Sequence, residues 1–120
     1  MTLANLQKPE SRAVERKKDK AEKAARLRAV HAFVDARDKW KCRACGARVD
    51  PNAKALELRA HRHHVVLRSA GGKDTTGNLA LLCAGCHHEI HAYRLTCSGH
   101  ADGIMVFSRE GQSWFSTAPK

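Results

Sequence analysis

Two pairs of cysteines with the same internal spacing constrain this chain more than any other feature. Cys42 and Cys45 form one C-x2-C pair, Cys83 and Cys86 form a second, and 37 residues separate the pairs. Tetrahedral zinc accepts two such chelating pairs, and a site closed by four thiolates supports folding and not chemistry. The alternative is a set of four buried or redox-active cysteines, which accounts less well for the repeated spacing. The pattern therefore predicts a structural zinc site.

The length of the chain agrees with a need for such a site. A chain of 120 residues buries limited apolar surface, so a metal that joins distant segments adds needed stability. The sequence shows neither a membrane span nor the apolar core of a secretory signal, which predicts a soluble cytoplasmic protein with no membrane partner. Disulfides are rare in that compartment, which again favours metal ligation. Cys97 has no partner at this spacing and is predicted to be a small apolar packing residue.

The charge of the chain indicates what it binds. Lys and Arg number 22 against 12 acidic residues, which gives a formal net charge of +10. Such an excess favours polyanions, because basic side chains that neutralise phosphates release condensed counterions. Nucleic acid is therefore the leading partner, and charge that serves solubility alone is the alternative.

Hydrophobic periodicity divides the chain into an arm, a central segment and a tail. Apolar residues recur at helical spacing from residue 21 to 38, which predicts an amphipathic helix, and the charged segment 1–22 before it suits a fraying helix or a disordered basic arm. Downstream we expect a strand over 56–66, a glycine-rich loop over 68–77 and an apolar stretch over 79–82. A helix over 86–93 and a C-terminal hairpin, with strands at 104–108 and 113–116, are expected to follow.

Histidines are concentrated in two short clusters on either side of the glycine-rich loop. Six of the eight histidines belong to them: His61, His63, His64, His87, His88 and His91. Residues four apart share one face of a helix, so the last cluster presents two imidazoles side by side. This density favours a second metal site, distinct from the four cysteines. His61 and His88 are expected not to be ligands.

These elements, taken in order, resemble the HNH endonuclease signature over roughly residues 40 to 92. The matching pieces are Cys42-x2-Cys45, His63-His64-Val65-Val66, Arg68-Ser69-x-Gly71-Gly72, Asn78-Leu79, Leu82-Cys83-x2-Cys86-His87, and His91. Relatives commonly carry proline before the Arg-Ser of the loop, where this chain has Leu67. The resemblance implies an α+β fold with a ββα-metal (His-Me finger) core beside the structural zinc. A basic N-terminal helix and a short C-terminal β-hairpin complete the expected fold, with domains at 1–38, 39–93 and 94–120.

The resemblance also implies a role for each site residue. His64 would be the general base that activates water, and Asn78 would hold the glycine-rich loop and so orient that base. One catalytic divalent ion would be bound by His63, His87 and His91. Imidazole ligands favour Mn²⁺, Ni²⁺, Co²⁺ or Zn²⁺ over the abundant Mg²⁺. Arg62 and Arg68 flank the site as candidate DNA phosphate contacts, with a solvated surface role as the alternative.

The implied function is metal-dependent hydrolysis of DNA phosphodiester bonds, by nicking or double-strand cleavage. The resemblance reaches phage proteins that act beside the packaging terminase, restriction nucleases and homing endonucleases, so terminase is a candidate partner in addition to DNA. The alternative from another class is a non-catalytic zinc-ribbon module that binds nucleic acid. RNA or branched DNA is an alternative substrate, and the sequence leaves the oligomeric state open.

Overall fold

The computed structural model describes residues 3–118, with side chains from residue 12 onward. Within residues 3–118, two α-helices and five strands follow one another in the order α1, β1, β2, α2, β3, β4, β5. Their bounds are α1 Leu3–Arg37, β1 Ala60–His64, β2 Leu79–Cys83, α2 Ala84–His91, β3 Thr96–Gly99, β4 Ile104–Arg109 and β5 Gln112–Thr117. The predicted mixture of helix and strand is confirmed. No helix within residues 3–118 has the length and apolar character needed to cross a bilayer.

Helix α1 is longer than the segment 21–38 that apolar periodicity indicated. It begins at Leu3 and runs for 35 residues, about 52 Å, because the charged N-terminal segment is rich in the strong helix formers Ala, Glu, Lys and Arg. Among the side chains described, those from residue 12 onward, contact of α1 with the core is confined to the last turns. Val34 is fully buried and Val30 packs partly against the core, whereas Phe33 remains 52% exposed. Residues 12–19 of α1 are exposed throughout.

A buried network of charges joins the end of α1 to the rest of the chain. The carboxylate of Asp38 is fully buried and accepts hydrogen bonds from Arg37, from Arg43 and from the backbone N–H of Leu81. Arg37 also donates to the carbonyl of Leu79. A buried carboxylate is stable only when its oxygens are fully bonded, and three donors meet that requirement here. The sequence reading did not identify this network, since its partners are far apart in the chain.

Strands β1 and β2 form an antiparallel pair that positions the candidate site. Ala60 lies opposite Cys83, and His64 lies opposite Leu79. Every residue of β2 is buried, so this strand is the centre of the core. The strand predicted over 56–66 is shorter than expected. Residues Leu56–Leu58 form a 3₁₀ turn, and beyond β1 the chain turns into the glycine-rich loop, because β2 offers partners only along its own five residues.

Helix α2 follows β2 directly and starts two residues before the predicted position. The Cys83 side chain caps its first turn by accepting a hydrogen bond from the N–H of Cys86. The predicted C-terminal hairpin is present as β4 and β5, joined at Glu110 and Gly111, whose positive φ angles of 51° and 80° suit a two-residue turn. Strand β3 completes a three-stranded sheet in the order β3-β4-β5. It was not predicted, because its four residues carry no apolar alternation.

Candidate functional site

The four paired cysteines lie together at the end of β2. The first pair reaches this point because the backbone N–H of Arg43 bonds to the carbonyl of Leu81. All four Sγ atoms lie within 4.8 Å of one another, and Cys45 Sγ lies 3.8 Å from Cys83 Sγ. Zn–S bonds of about 2.3 Å in a tetrahedron place sulfur atoms about 3.8 Å apart. The cluster of Cys42, Cys45, Cys83 and Cys86 could therefore hold a metal ion, as the spacing predicted.

The electrostatics of the cluster also suit a cation. A hydrogen bond from the Cys86 thiol lowers the pKa of Cys42 to about 5, while burial raises the pKa of Cys45 to about 11. Backbone N–H groups at Cys45 and Cys86 point at the sulfur atoms of Cys42 and Cys83, at 3.5 Å and 3.3 Å. Sulfur atoms this close compete for protons, and a divalent cation favours the thiolate form of all four. Cys97 lies outside the cluster and packs against the hydrophobic core.

A second cluster consists of three imidazoles on β1 and α2. His63 lies on the strand, and His87 and His91 lie one turn apart on the helix. One ring nitrogen from each lies within 4.8 Å of the others, and the Nε2 atoms of His87 and His91 are 3.1 Å apart. The structure thus brings together the three histidines that the family resemblance named as ligands.

The environment keeps His63 and His87 neutral. Burial, followed by the charges of His87 and His91, lowers the pKa of His63 to about 4. Burial, followed by the charge of His61, lowers the pKa of His87 to about 4. A neutral imidazole has a free lone pair on one ring nitrogen, which is the form that binds a metal. The three-imidazole donor set and the neutral state of His63 and His87 therefore fit a divalent ion.

The two remaining histidines of the sequence clusters differ in their surroundings. His61 Nδ1 lies 2.8 Å from His87 Nδ1, so it contacts a candidate ligand without belonging to the three-imidazole cluster. A hydrogen bond of this kind to the far nitrogen of a ligating imidazole fixes its tautomer and orientation. His88 is exposed on α2 and belongs to neither cluster of potential metal ligands.

His64, the expected general base, lies on the other face of β1 from His63. Successive side chains of a strand alternate, and His64 shares its face with Arg62, which contacts α1. His64 Nε2 lies 2.6 Å from Asp74 Oδ1, and the second carboxylate oxygen of Asp74 accepts a hydrogen bond from Arg68. The hydrogen bonds with His64 and Arg68 hold the pKa of Asp74 below its usual range. This carboxylate therefore stays charged well into the acidic range.

Asp74 is the site residue that sequence reasoning missed. The sequence feature that could have identified Asp74 is that it is the one acidic residue of the loop over 68–77. Spacing gave no indication that the loop folds back onto β1, because ten residues separate Asp74 from His64.

Asn78 holds the glycine-rich loop in this folded-back position. Its side-chain oxygen accepts a hydrogen bond from the N–H of Val66 at 2.7 Å, and its amide donates to the carbonyls of Val66 and Lys73. Gly72 is part of the same closure, since a Cβ placed there would lie 1.7 Å from the Val66 carbonyl oxygen. These contacts join the two ends of the loop beside His64.

The two arginines expected to contact phosphates are both engaged in ion pairs. Arg62 donates two hydrogen bonds to Asp35 on α1, at 2.9 Å and 2.6 Å, and so attaches β1 to that helix. Arg68 pairs with Asp74 through one nitrogen, and its side chain is 65% exposed. Arg68 therefore retains free donors at the surface, whereas the Arg62 guanidinium contributes to packing of α1.

Comparison with known proteins bears directly on this site. Residues 42–92 match the HNH endonuclease family. The chain is also similar to the type IV methyl-directed restriction enzyme EcoKMcrA of Escherichia coli strain K12, with 36% identity over 66 residues. That alignment covers 52% of this chain but 22% of the relative, so the chain spans about a fifth of that protein's length. Both cysteine pairs, the three-imidazole cluster, His64, Asp74 and Asn78 lie inside residues 42–92, the segment that matches the HNH endonuclease family.

Proposed function

We propose that this protein is a metal-dependent endonuclease that hydrolyses DNA phosphodiester bonds, with β1, β2 and α2 as a ββα-metal core. One observation carries the proposal: two adjacent residues of β1 lie in two different chemical environments. His63 belongs to a cluster of three imidazoles, and His64 is held by a carboxylate on the opposite face. A binding module has no need for this combination, which is the arrangement that metal-assisted hydrolysis uses.

His63, His87 and His91 would hold the catalytic divalent ion, and the four cysteines would hold a structural zinc. When bound, a divalent ion at the imidazoles supplies a Lewis acid that polarises a phosphate oxygen and stabilises charge on the leaving 3′ oxygen. Three imidazole ligands favour Mn²⁺, Ni²⁺, Co²⁺ or Zn²⁺ by affinity, while Mg²⁺ binds more weakly.

His64 is proposed as the general base. Its Nε2 is engaged by Asp74, so a proton on that nitrogen leaves the Nδ1 lone pair free to accept a proton from the attacking water. Asp74 orients the ring, and Asn78 holds the loop that carries Asp74. In-line attack of the activated water on phosphorus then leaves 5′-phosphate and 3′-hydroxyl ends.

A role in restriction is the biological setting that the comparisons favour. EcoKMcrA is described as a methyl-directed restriction enzyme, and the shared segment includes the candidate nuclease site. We therefore propose that the substrate is duplex DNA and that the chain acts as the cleaving unit. A position beside a packaging terminase was suggested by the resemblance to phage proteins, and co-purification of the two proteins would test it.

Cleavage of supercoiled plasmid tests the proposed activity. The purified protein is incubated with Mg²⁺, Mn²⁺ or Ni²⁺, beside a His64→Ala variant whose zinc content and circular dichroism match the native protein. We expect nicked or linear product from the native protein, and a rate about 10²- to 10⁴-fold lower from the variant, because it lacks its general base. His88→Ala is the matched control, since His88 is exposed on α2, outside the imidazole cluster, and should leave cleavage unchanged.

Two results would contradict the proposal. Equal cleavage by the native protein and His64→Ala would exclude His64 as the base. No cleavage by the folded native protein with any of these ions, together with retained DNA binding, would support the non-catalytic zinc-ribbon module instead.

A further inference from the structure

An open groove of about 670 Å³ lies between helix α1 and the glycine-rich loop. One wall is the face of α1 on which residues three and four apart line up, from Lys20 through Lys23 and Leu27 to Val30. The opposite wall comes from the loop, at Lys73 and its neighbours. None of the proposed metal ligands lines this groove, so it is a surface separate from both metal clusters.

The charge of the groove is strongly one-sided. Five cationic side chains line it and a single carboxylate, Asp74, opposes them; the cations are Lys20, Lys23, Arg26, Arg68 and Lys73. The three basic residues from α1 and Lys73 are exposed, and the side chain of Arg68 is 65% exposed. Leu27 and Val30 give the groove an apolar floor between the basic walls. A concave surface with one sign of charge concentrates a polyanion.

The groove reaches Asp74, the residue that contacts the candidate base. Asp74 belongs to its lining, and the same carboxylate lies 2.6 Å from His64 Nε2. The α1 wall is fixed relative to that point, because Asp35 on α1 is bonded twice to Arg62 on β1, two residues from His64. A polymer bound along the groove is therefore directed towards His64 in a defined orientation.

We propose that this groove binds the phosphate backbone of the DNA strand that is cut and guides it to His64. The wall from Lys20 to Val30 is about 15 Å long, and phosphates follow one another about 3.4 Å apart along the axis of one strand, so the wall spans about four phosphates. The five cations that line the two walls are enough to contact each of these phosphates. Contacts to phosphates fix position without reading bases, so the groove supplies affinity and register independently of sequence. The guiding role rests on the proposed nuclease function, whereas strand binding does not.

A charge-matched pair of triple variants tests the groove. The groove variant is Lys20→Gln/Lys23→Gln/Lys73→Gln, and the control, Lys41→Gln/Arg48→Gln/Lys54→Gln, removes three exposed charges outside it. Both triple variants are made in the His64→Ala background, in which DNA stays intact, to measure binding. They are also made in the native background to measure cleavage. Binding of a fluorescent duplex is measured by anisotropy between about 50 and 200 mM salt, the range over which phosphate contacts change affinity strongly.

We expect the groove variant to bind duplex DNA at least about tenfold more weakly than the parent protein. The slope of log affinity against log salt should become shallower by about 2.7, at about 0.9 for each of the three contacts removed. The control variant should lose less than about one in that slope. In the native background, cleavage at low protein concentration should fall only for the groove variant.

Equal losses from the groove and control variants would overturn the proposal, because the cations would then act through net charge alone. If the native protein cleaves plasmid while the groove variant behaves as the control does, the groove assignment fails and the nuclease proposal stands. If the groove variant alone loses binding but the native protein never cleaves, the binding groove stands and the nuclease proposal fails.

Discussion

His63 and His64 are neighbours in sequence but have different surroundings. His63 is buried among imidazoles, and burial together with the charges of these neighbours lowers its pKa to about 4. His64 contacts a carboxylate on the face of β1 towards α1. The alternation of side chains along a strand produces this division within a single dipeptide. A metal ligand and a base can therefore be placed on either side of one backbone segment without competing for the same proton.

We predict that Asp74→Asn lowers kcat by roughly 10- to 100-fold with little change in KM, because the neutral amide no longer stabilises the positive charge that His64 gains when it accepts a proton. The measurement is steady-state cleavage of a fluorogenic duplex. Asp74→Glu should recover part of the loss, since it restores the carboxylate. An unchanged kcat in Asp74→Asn, or a loss confined to KM, would show that Asp74 does not position the base.

The segment from β1 through the loop to β2 acts as one element. Its closure depends on side-chain bonds from Asn78 to the backbone at Val66 and Lys73, and on the close approach of Gly72 to the Val66 carbonyl. No side chain fits between these two backbone segments. The loop therefore holds Asp74 beside His64 only if residue 72 is glycine.

We expect Gly72→Ala to destabilise the fold by about 1 to 3 kcal/mol, as overpacking does, and to reduce cleavage by moving the loop. Urea denaturation and plasmid cleavage measure the two effects. Gly103→Ala is the control, because a Cβ at Gly103 meets its nearest atom at 4.0 Å and the residue has no positive φ. Similar free energies of unfolding for both variants would mean that the loop adapts without strain.

Over the whole molecule, two interactions join parts of the chain that are distant in sequence. The Asp38 network connects the end of α1 to β2 and to the first cysteine pair, and the four cysteines connect that pair to the start of α2. Both converge on β2, which is buried throughout. Among residues 12–118 the fully buried side chains are few and cluster around β2 and the C-terminal sheet, so we expect a metal held by the four cysteines to supply much of the stability.

Loss of the structural metal should therefore unfold the domain. We predict that Cys45→Ser, or a strong chelator, releases zinc and abolishes the cooperative thermal transition, because structural zinc contributes about 10 kcal/mol or more of folding free energy in small domains. Zinc release is followed with a colorimetric indicator and folding by circular dichroism. Cys97→Ser is the matched control and should retain its zinc. Secondary structure that persists after stoichiometric zinc loss would refute this prediction.

Features that depend on short-range spacing could be inferred from the sequence. A C-x2-C pair brings two sulfur atoms together within one tight turn, residues four apart on a helix present two imidazoles on one face, and the apolar pattern around Glu110 and Gly111 indicates a hairpin. The order of these pieces also indicated the family, which the comparison confirmed for residues 42–92. Each of these inferences needs only local geometry.

Which distant residues meet depends on tertiary packing. The contacts of Asp74 with His64, of Asp35 with Arg62, and of Asp38 with Arg43 and Leu81 leave no periodic signal, because they depend on how α1 and the loop pack against the β1-β2 pair. The basic groove is of the same kind. Its two walls come from segments that are distant in sequence, and only their packing makes a concave surface that reaches Asp74, the partner of His64.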